Sequence, residues 1–239
     1  MKDRLFVTLD FDGTITAEDI TDAVIETFAR PGWEKYEALW KEGLIGSREC
    51  LENQMALIDS PLDSVLEHVD RFTIDKAFND FLTLLKQFHI PFAIVSDGFR
   101  IFIERLLRNT GLEGLPVYAN QLKEENGKLD VIYPHSFEGC SSGLCKCEVT
   151  RKISGGRSII HIGDGMSDFC VSKKAAYAFA KEKLAGFCKN NGIPYVHFRD
   201  FKDIENIFSA LLRRMDATMT QGDTDSRLQE SIYEIRRVD

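Results

Sequence analysis

The sequence lacks any apolar run long enough to cross a bilayer. Its longest apolar stretches, such as residues 90–95 and 158–162, are far shorter than the roughly 20 residues that a transmembrane helix needs. No secretory signal is predicted either, because the first residues pass straight into a strand-like run. We therefore expect a cytoplasmic protein that does not bind a membrane.

The chain also lacks an excess of basic residues. Thirty Lys and Arg against 38 Asp and Glu give a net charge of −8, and an acidic surface is repelled by a phosphate backbone. A nucleic-acid partner is therefore not expected, whereas a small phosphate ester held by local dipoles is compatible with this charge. With 44% hydrophobic residues, the 239-residue chain can bury a sizeable core.

Cysteines are few and do not form the even framework of a small secreted protein. Three of the six are isolated, and three cluster as Cys140, Cys145 and Cys147. With His135 as a fourth ligand this cluster could form a zinc site, although its spacing is not that of paired C-x-x-C knuckles. The alternative is a thiol-bearing or redox-sensitive loop beside an active site.

Short apolar runs alternate with helical patterns over most of the chain, which predicts an α/β fold with a parallel sheet wrapped by helices. The predicted strands are 5–9, 91–95, 117–120, 158–162, 177–180 and 195–198. The predicted helices lie near 99–109, 146–153, 167–175, 182–191 and 200–214. Residues 121–133 are typical of a hairpin with an Asn126-Gly127 turn.

One stretch departs from this alternation. Residues 17–88 contain four or five helical segments and no convincing strand, and we interpret them as an inserted helical-bundle cap. The Rossmann-like core would then comprise 1–16 and 89–215. A polar tail, 216–239, follows, with a last surface helix predicted at 228–235.

Acidic residues follow two of the predicted strands. Asp10 and Asp12 end the first strand and point to the same side, and Asp164 and Asp168 follow strand 158–162. Taken alone, the first pair is better explained as a loop that caps the next helix. Its recurrence at a second strand end favours a ligand site at the carboxyl edge of the sheet, and crowded carboxylates favour Mg²⁺.

A hydroxyl and a flexible backbone follow another strand, as Ser96, Asp97 and Gly98. The Ser96 hydroxyl and the amide groups at a helix start can bind phosphate oxygens. A cap for the helix 99–109 explains the same residues equally well. The combination with acidic residues at the other strand ends favours the phosphate site.

In this order, these residues resemble the haloacid dehalogenase (HAD) superfamily of phosphatases. The segment Asp10-Phe11-Asp12-Gly13-Thr14, then Ser96, a lysine, and Gly163-Asp164-Gly165-Met166-Ser167-Asp168 are similar to its four ordered motifs. The resemblance spans about residues 5–180. The helical insert resembles that superfamily's type I cap, as in phosphoserine phosphatase.

The resemblance implies a role for each acidic residue. Asp10 would be the nucleophile that forms an aspartyl-phosphate, and Asp12 would be the general acid and base. Mg²⁺ would be held by Asp10, Asp164 and the backbone carbonyl of Asp12, with Asp168 completing the site directly, through water or through the lysine.

The resemblance also implies phosphate and substrate contacts. Ser96 and a lysine would bind the transferring phosphoryl group, with Asp97 and Gly98 as further substrate contacts. Lys146, which would begin the helix before the last catalytic strand, is favoured for the lysine. Lys152 lies near the far end of that helix, where interaction with the helix dipole explains it.

Two segments resemble one branch of the superfamily. The stretch 10–16 and the segment 134–136 with its cysteine-rich sequel resemble 2-hydroxy-3-keto-5-methylthiopentenyl-1-phosphate phosphatase, a methionine-salvage enzyme. Asp19 lies where phosphoserine phosphatases carry a glutamate that contacts the substrate amine. Gln54 stands where their arginine binds the carboxylate, and Arg48 could replace it only in a register shifted by nearly two turns.

We therefore expect a monomeric or homodimeric enzyme that hydrolyses the methylthiopentenyl ester. Phosphoserine, or a phosphoamine such as phosphoethanolamine or phosphocholine, is the alternative substrate. A non-catalytic phosphate-binding protein is the alternative of a different class.

Overall fold

Seven strands form one sheet in the computed structural model, which describes residues 4–125 and 127–217. The order across the sheet is β4-β3-β2-β1-β5-β6-β7. The strands are β1 Leu5–Leu9, β2 Phe92–Phe99, β3 Val117–Glu125, β4 Lys128–Ile132, β5 Ser158–Gly163, β6 Tyr177–Ala180 and β7 Tyr195–His197. The β3–β4 pair is antiparallel, and the β2–β3, β1–β5, β5–β6 and β6–β7 pairs are parallel. The predicted α/β class with a mostly parallel sheet is confirmed.

Helices connect most of the strands. They are α1 Ile20–Phe28, α2 Glu34–Lys41, α3 Ser47–Met55, α4 Leu62–Val69, α5 Phe78–Gln87, α6 Arg100–Asn109, α7 Lys146–Ser154, α8 Phe169–Ser172, α9 Glu182–Asn190 and α10 Phe201–Ala217. A short 3₁₀ turn, Met166–Asp168, precedes α8. Among the described residues, no helix combines the length and apolar composition that crossing a membrane requires.

The chain divides into two compact units. Among the described residues, the first comprises 4–10, 75–93 and 150–217. In it, β1 and β5 pair in a register that sets Leu5 opposite Ser158 and Leu9 opposite Ile162. All five β1 residues are buried, as expected for an apolar strand of a parallel sheet covered on both faces.

Aromatic contacts join two helices of the first unit. The rings of Phe78 and Phe201 lie 4.9 Å apart, and those of Phe81 and Phe208 lie 5.5 Å apart. Both pairs are edge-to-face, the geometry that the ring quadrupole favours. The apolar faces of α5 and α10 are therefore buried against each other.

The second unit comprises residues 11–74 and 94–149. β2 and β3 pair from Ile94 opposite Val117, and the register shifts between Val95 and Phe99. In α6 the buried residues recur at the spacing of one helix face, as Phe102, Ile103, Leu106 and Leu107.

Most predicted elements agree with the structure. One strand end is wrong, because β2 continues through Ser96, Asp97 and Gly98 to Phe99 and α6 begins at Arg100. The reason is a side chain distant in sequence: the Asn120 amide donates to the Asp97 carbonyl at 2.6 Å and holds that segment extended.

Some predictions lie partly or wholly outside the described residues. The hairpin is confirmed by the β3–β4 pairing, but Asn126 of its predicted turn lies outside them, as do residues 218–239 with the predicted helix 228–235. The region 17–88 contains α1–α5, as its helical pattern indicates. The boundaries of the cap and core stay a prediction.

Candidate active site

Three aspartates of the first unit come together. One carboxylate oxygen each from Asp10, Asp164 and Asp168 lie within 4.8 Å of one another. The pairing of β1 with β5 explains this, because parallel neighbours present their carboxyl ends at one edge. The Asp10 N–H donates to the Ile162 carbonyl at 2.9 Å, which extends that pairing to the nucleophile position predicted from the sequence. Within residues 4–125 and 127–217, this is the one such group of acidic, histidine or cysteine side chains.

Asp168 organises the loop that carries Asp164. Its Oδ2 accepts the backbone N–H groups of Asp164 and Gly165, both at 3.1 Å, and the side chain is wholly buried. A Cβ at Gly163 would lie 2.4 Å from the same Oδ2. Glycine at 163 is therefore needed for Asp168 to approach the backbone this closely.

His161 is a member of this site that sequence reasoning missed. Its ring is wholly buried, with Nδ1 3.0 Å from the Thr8 hydroxyl and Nε2 2.9 Å from Asp168 Oδ1. The signal that could have found it is the β1–β5 register, which sets Thr8 directly opposite His161.

The three aspartates fit a divalent cation. Two of them are almost wholly buried, Asp10 at 5% and Asp168 at 0% exposure. Like charges gathered away from water are stabilised by a cation, and an all-oxygen donor set matches Mg²⁺. The donor chemistry therefore agrees with the predicted metal.

In the second unit, Asp12 lies at the start of α1. Its Oδ1 accepts the Ile20 N–H at 3.1 Å and its Oδ2 accepts the Thr21 hydroxyl at 3.4 Å. Asp19 is the N-cap of the same helix, and its Oδ1 accepts the Asp22 N–H at 2.9 Å. Asp19 is also exposed. Both residues thus cap α1, and capping is compatible with a catalytic role for Asp12.

Ser96 and Gly98 lie beside Asp12. Ser96 is 1% exposed, and its hydroxyl accepts the Gly98 N–H at 3.0 Å. A Cβ at Gly98 would lie 2.2 Å from Asp12 Oδ2 and 3.2 Å from Ser96 Oγ. The structure therefore brings together three of the predicted catalytic and substrate-binding residues.

Asp97 instead turns toward the loop before α7. Its Oδ1 accepts the Leu144 N–H at 2.7 Å and the Asn120 amide at 3.0 Å, and its Oδ2 accepts the Ser47 hydroxyl. Burial raises the pKa of this carboxyl, while these hydrogen bonds and the charge of Lys146 oppose the rise. Asp97 is thus engaged by protein groups at both oxygens.

The two candidate lysines differ in environment. Lys146 is the first residue of α7 and only 1% exposed, whereas Lys152 lies in the last turn and is exposed. A buried ammonium requires compensation by nearby charge or polar groups, so burial of a lysine is informative. The predicted helix position of Lys146 is confirmed.

Gln54 and Arg48, the two residues considered for a carboxylate-binding position, both contact other protein groups. Gln54 is 2% exposed, and its amide donates to Glu37 Oε2 at 3.2 Å. The Arg48 guanidinium lies over the Tyr133 ring at 5.4 Å and donates to the Ser142 carbonyl at 3.4 Å.

The zinc alternative gains no support: within the described residues, the cysteines of 140–147 and His135 do not form a cluster of three ligand atoms.

Comparison with known proteins shows the family to which the chain belongs. A family model described as haloacid dehalogenase-like hydrolase matches residues 7–173. The chain is 30% identical over 211 residues to 2-hydroxy-3-keto-5-methylthiopentenyl-1-phosphate phosphatase of Geobacillus kaustophilus, covering 85% of this chain and 95% of that protein. A protein of the same name from Exiguobacterium sibiricum is 30% identical over 208 residues, covering 83% of this chain and 93% of that protein.

Solved structures share the fold. A phospho-aspartyl intermediate analogue of phosphoserine phosphatase matches with a TM-score of 0.66 at 24% identity, covering 84% of this chain and 97% of the other. A substrate-bound phosphoserine phosphatase complex matches with a TM-score of 0.65 at 22% identity, covering 84% and 96%. At these identities the likeness concerns the fold alone.

Proposed function

The chain belongs to the haloacid dehalogenase-like hydrolase family, and from that premise we propose that it is a magnesium-dependent phosphatase that acts on a small phosphate monoester. The observation that carries the proposal is the convergence of Asp10, Asp164 and Asp168 at one sheet edge. The sequence resemblance to the family and to one of its branches is confirmed by these comparisons.

Asp10 is assigned the nucleophile. Its carboxylate oxygen attacks phosphorus, the bond from phosphorus to the ester oxygen breaks, and Asp12 protonates the departing alcohol. Water then attacks the aspartyl-phosphate and gives its proton to Asp12, and the bond from phosphorus to Asp10 breaks. The products are the alcohol and inorganic phosphate, and both aspartates return to their starting states.

The remaining predicted site residues are assigned to charge and positioning. Mg²⁺ would be held by Asp10, Asp164 and the Asp12 carbonyl, with Asp168 supporting the site, and would supply stabilisation of negative charge on the phosphoryl group. Ser96 and Lys146 are assigned to the phosphate oxygens, where preorganised donors lower the barrier most. Burial of both side chains supports this assignment, because it limits their freedom before substrate binds.

The substrate that we propose is 2-hydroxy-3-keto-5-methylthiopentenyl-1-phosphate, used in methionine salvage in the cytoplasm. Support comes from relatives of that name that are 30% identical over most of the chain. The Gln54 amide is engaged with Glu37, so the position predicted to align with a carboxylate-binding arginine offers no bidentate cation. That disfavours an amino-acid ester such as phosphoserine.

Phosphate release from a panel of esters tests this proposal. The panel contains the methylthiopentenyl ester, phosphoserine, phosphoethanolamine and pyridoxal phosphate, each with Mg²⁺ and with EDTA. We expect the highest kcat/KM for the methylthiopentenyl ester and no turnover by Asp10→Asn, which keeps the side-chain shape but removes the nucleophile.

Other outcomes would each remove a different part of the proposal. Preference for an amino-bearing ester would keep the mechanism and overturn the substrate, with Asp19 as the candidate amine contact. Inactivity toward every ester, together with binding of inorganic phosphate, would overturn catalysis and favour the non-catalytic binding protein.

A further inference from the structure

One serine of α3 is hydrogen-bonded to two segments distant in sequence. The Ser47 hydroxyl donates to Asp97 Oδ2 and accepts the Gly143 N–H at 3.1 Å. Ser47 is 8% exposed and is the first residue of its helix. A single hydroxyl therefore connects α3, the end of β2 and the loop that leads into α7.

The loop before α7 is packed tightly against these partners. A Cβ at Gly143 would lie 2.8 Å from Tyr133 Cε1, 2.9 Å from the Asn120 amide nitrogen and 2.9 Å from Asp97 Oδ1. A side chain at 143 would force these neighbours to move, so glycine lets the loop backbone pack directly against the Asp97 carboxylate. The Leu144 N–H then donates to that carboxylate at 2.7 Å.

The same loop determines where Lys146 lies. The Cys145 carbonyl accepts the Val149 N–H at 3.0 Å, and this hydrogen bond closes the first turn of α7. Lys146, the residue after Cys145, is the first residue of that helix. Leu144 and Lys146 are each 1% exposed. The backbone two residues before Lys146 is held by the Leu144 hydrogen bond, and the Lys146 side chain is buried. Lys146 therefore has little freedom to move.

We propose that Asp97 and Ser47 are positioning residues that hold the loop before α7 and, through it, the ammonium of Lys146. The inference rests on the proposed function, in which Lys146 binds the phosphoryl group. The sequence predicted Asp97 as a substrate contact. In this proposal Asp97 instead holds the protein backbone, because its oxygens accept hydrogen bonds from Ser47, Asn120 and Leu144. The position of Lys146 depends on α3, since Ser47 belongs to that helix.

A misplacement of about 1 Å at a catalytic group can lower the rate on the order of 100-fold. We therefore expect Ser47→Ala and Asp97→Asn to lower kcat roughly 10- to 100-fold on p-nitrophenyl phosphate with saturating Mg²⁺. Affinity for inorganic phosphate, measured by calorimetry, should fall as well. Ser141→Ala is the matched control, because it removes an exposed hydroxyl from the same loop.

A double-mutant cycle separates positioning from general destabilisation. If Ser47 acts through Lys146, Ser47→Ala should weaken phosphate binding in the wild type but not further in a Lys146→Ala background. Thermal unfolding of each variant checks that the chain is folded. Equal losses in both backgrounds, or unchanged kcat and phosphate affinity in both positioning variants, would overturn the inference. An inactive wild type would instead overturn the proposed function, and the inference with it.

Discussion

His161 Nε2 lies 2.9 Å from Asp168 Oδ1, and both side chains are wholly buried. On its other side the ring contacts the Thr8 hydroxyl at 3.0 Å. The imidazole is therefore fixed from both nitrogens, and it fixes one oxygen of an aspartate that belongs to the acidic cluster. Partners of this kind orient metal ligands, and their loss typically lowers metal affinity 10- to 100-fold.

We predict that His161→Ala raises the Mg²⁺ concentration needed for half-maximal activity roughly 10- to 100-fold. Asp168 would lose one hydrogen-bond partner and hold the Asp164 loop less firmly. The measurement is a Mg²⁺ titration of phosphate release, with circular dichroism to check the fold.

His197→Ala is the matched control for this titration, because His197 is exposed on β7. It should leave the Mg²⁺ dependence unchanged. If His161→Ala showed the same Mg²⁺ dependence of activity as the wild type, His161 would be a core residue that does not support the metal site.

Gly163→Ala should lower both activity and stability. The added Cβ would lie 2.4 Å from Asp168 Oδ2 and 2.9 Å from His161 Nε2, and both neighbours are buried. Overpacking of this kind typically costs about 1–3 kcal/mol of unfolding free energy. Urea unfolding and a Mg²⁺ titration would measure the two effects.

Gly186→Ala provides the contrast for that substitution. Gly186 lies exposed within α9, and a Cβ there meets nothing within 4 Å. Since alanine is favoured over glycine inside a helix, this variant should gain about 0.5–1 kcal/mol of stability. If Gly163→Ala lowered the unfolding free energy by no more than the amount by which Gly186→Ala changed it, the steric argument would be contradicted.

Local sequence patterns predicted most of the fold and part of the site. Asp10 and Asp164 could be placed because each follows an apolar strand and parallel strands end at one edge. Thr8 and His161 could not, because their relation depends on the strand register. The hydrogen bond between Asp97 and Ser47 could not be predicted either, because the two residues lie 50 positions apart along the chain.

Cys50 should resist alkylation in the folded protein. Burial, with a smaller contribution from the charge of Glu37, raises the pKa of its thiol to about 12. The thiolate is the reactive form, so at pH 8 its population should be about 1000-fold lower than for an ordinary thiol. Iodoacetamide labelling followed by peptide mass spectrometry would measure this.

Cys140 is the internal reference for that experiment, because it is partly exposed and is also a free thiol. We expect Cys140 to be labelled first, and Cys50 to be labelled only after unfolding in urea. Comparable labelling of both thiols in the native protein would show that α3 opens readily.

The Asp70–Arg105 ion pair should stabilise the protein in a pH-dependent way. Arg105 Nε and Nη2 donate to the two Asp70 oxygens at 2.8 and 2.6 Å, and the Asn109 amide adds a third contact at 2.8 Å. These hydrogen bonds, Arg105 first, lower the pKa of Asp70 from 3.8 to about 2. Because the folded-state pKa is the lower one, the stabilisation is complete above about pH 5 and is lost as the pH falls toward 2.

Arg105→Ala should therefore lower the unfolding free energy by about 0.5–1 kcal/mol at pH 7, as is usual for an exposed ion pair. The difference in unfolding free energy between wild type and variant should shrink below pH 4, because protonated Asp70 carries no charge to pair with Arg105. Urea unfolding at pH 7, 5 and 3 would follow it, with Arg108→Ala, an exposed arginine on the same helix, as the charge-matched control. A difference that stays constant over this range would mean that Arg105 stabilises the protein through the packing of its aliphatic stem and not through its charge.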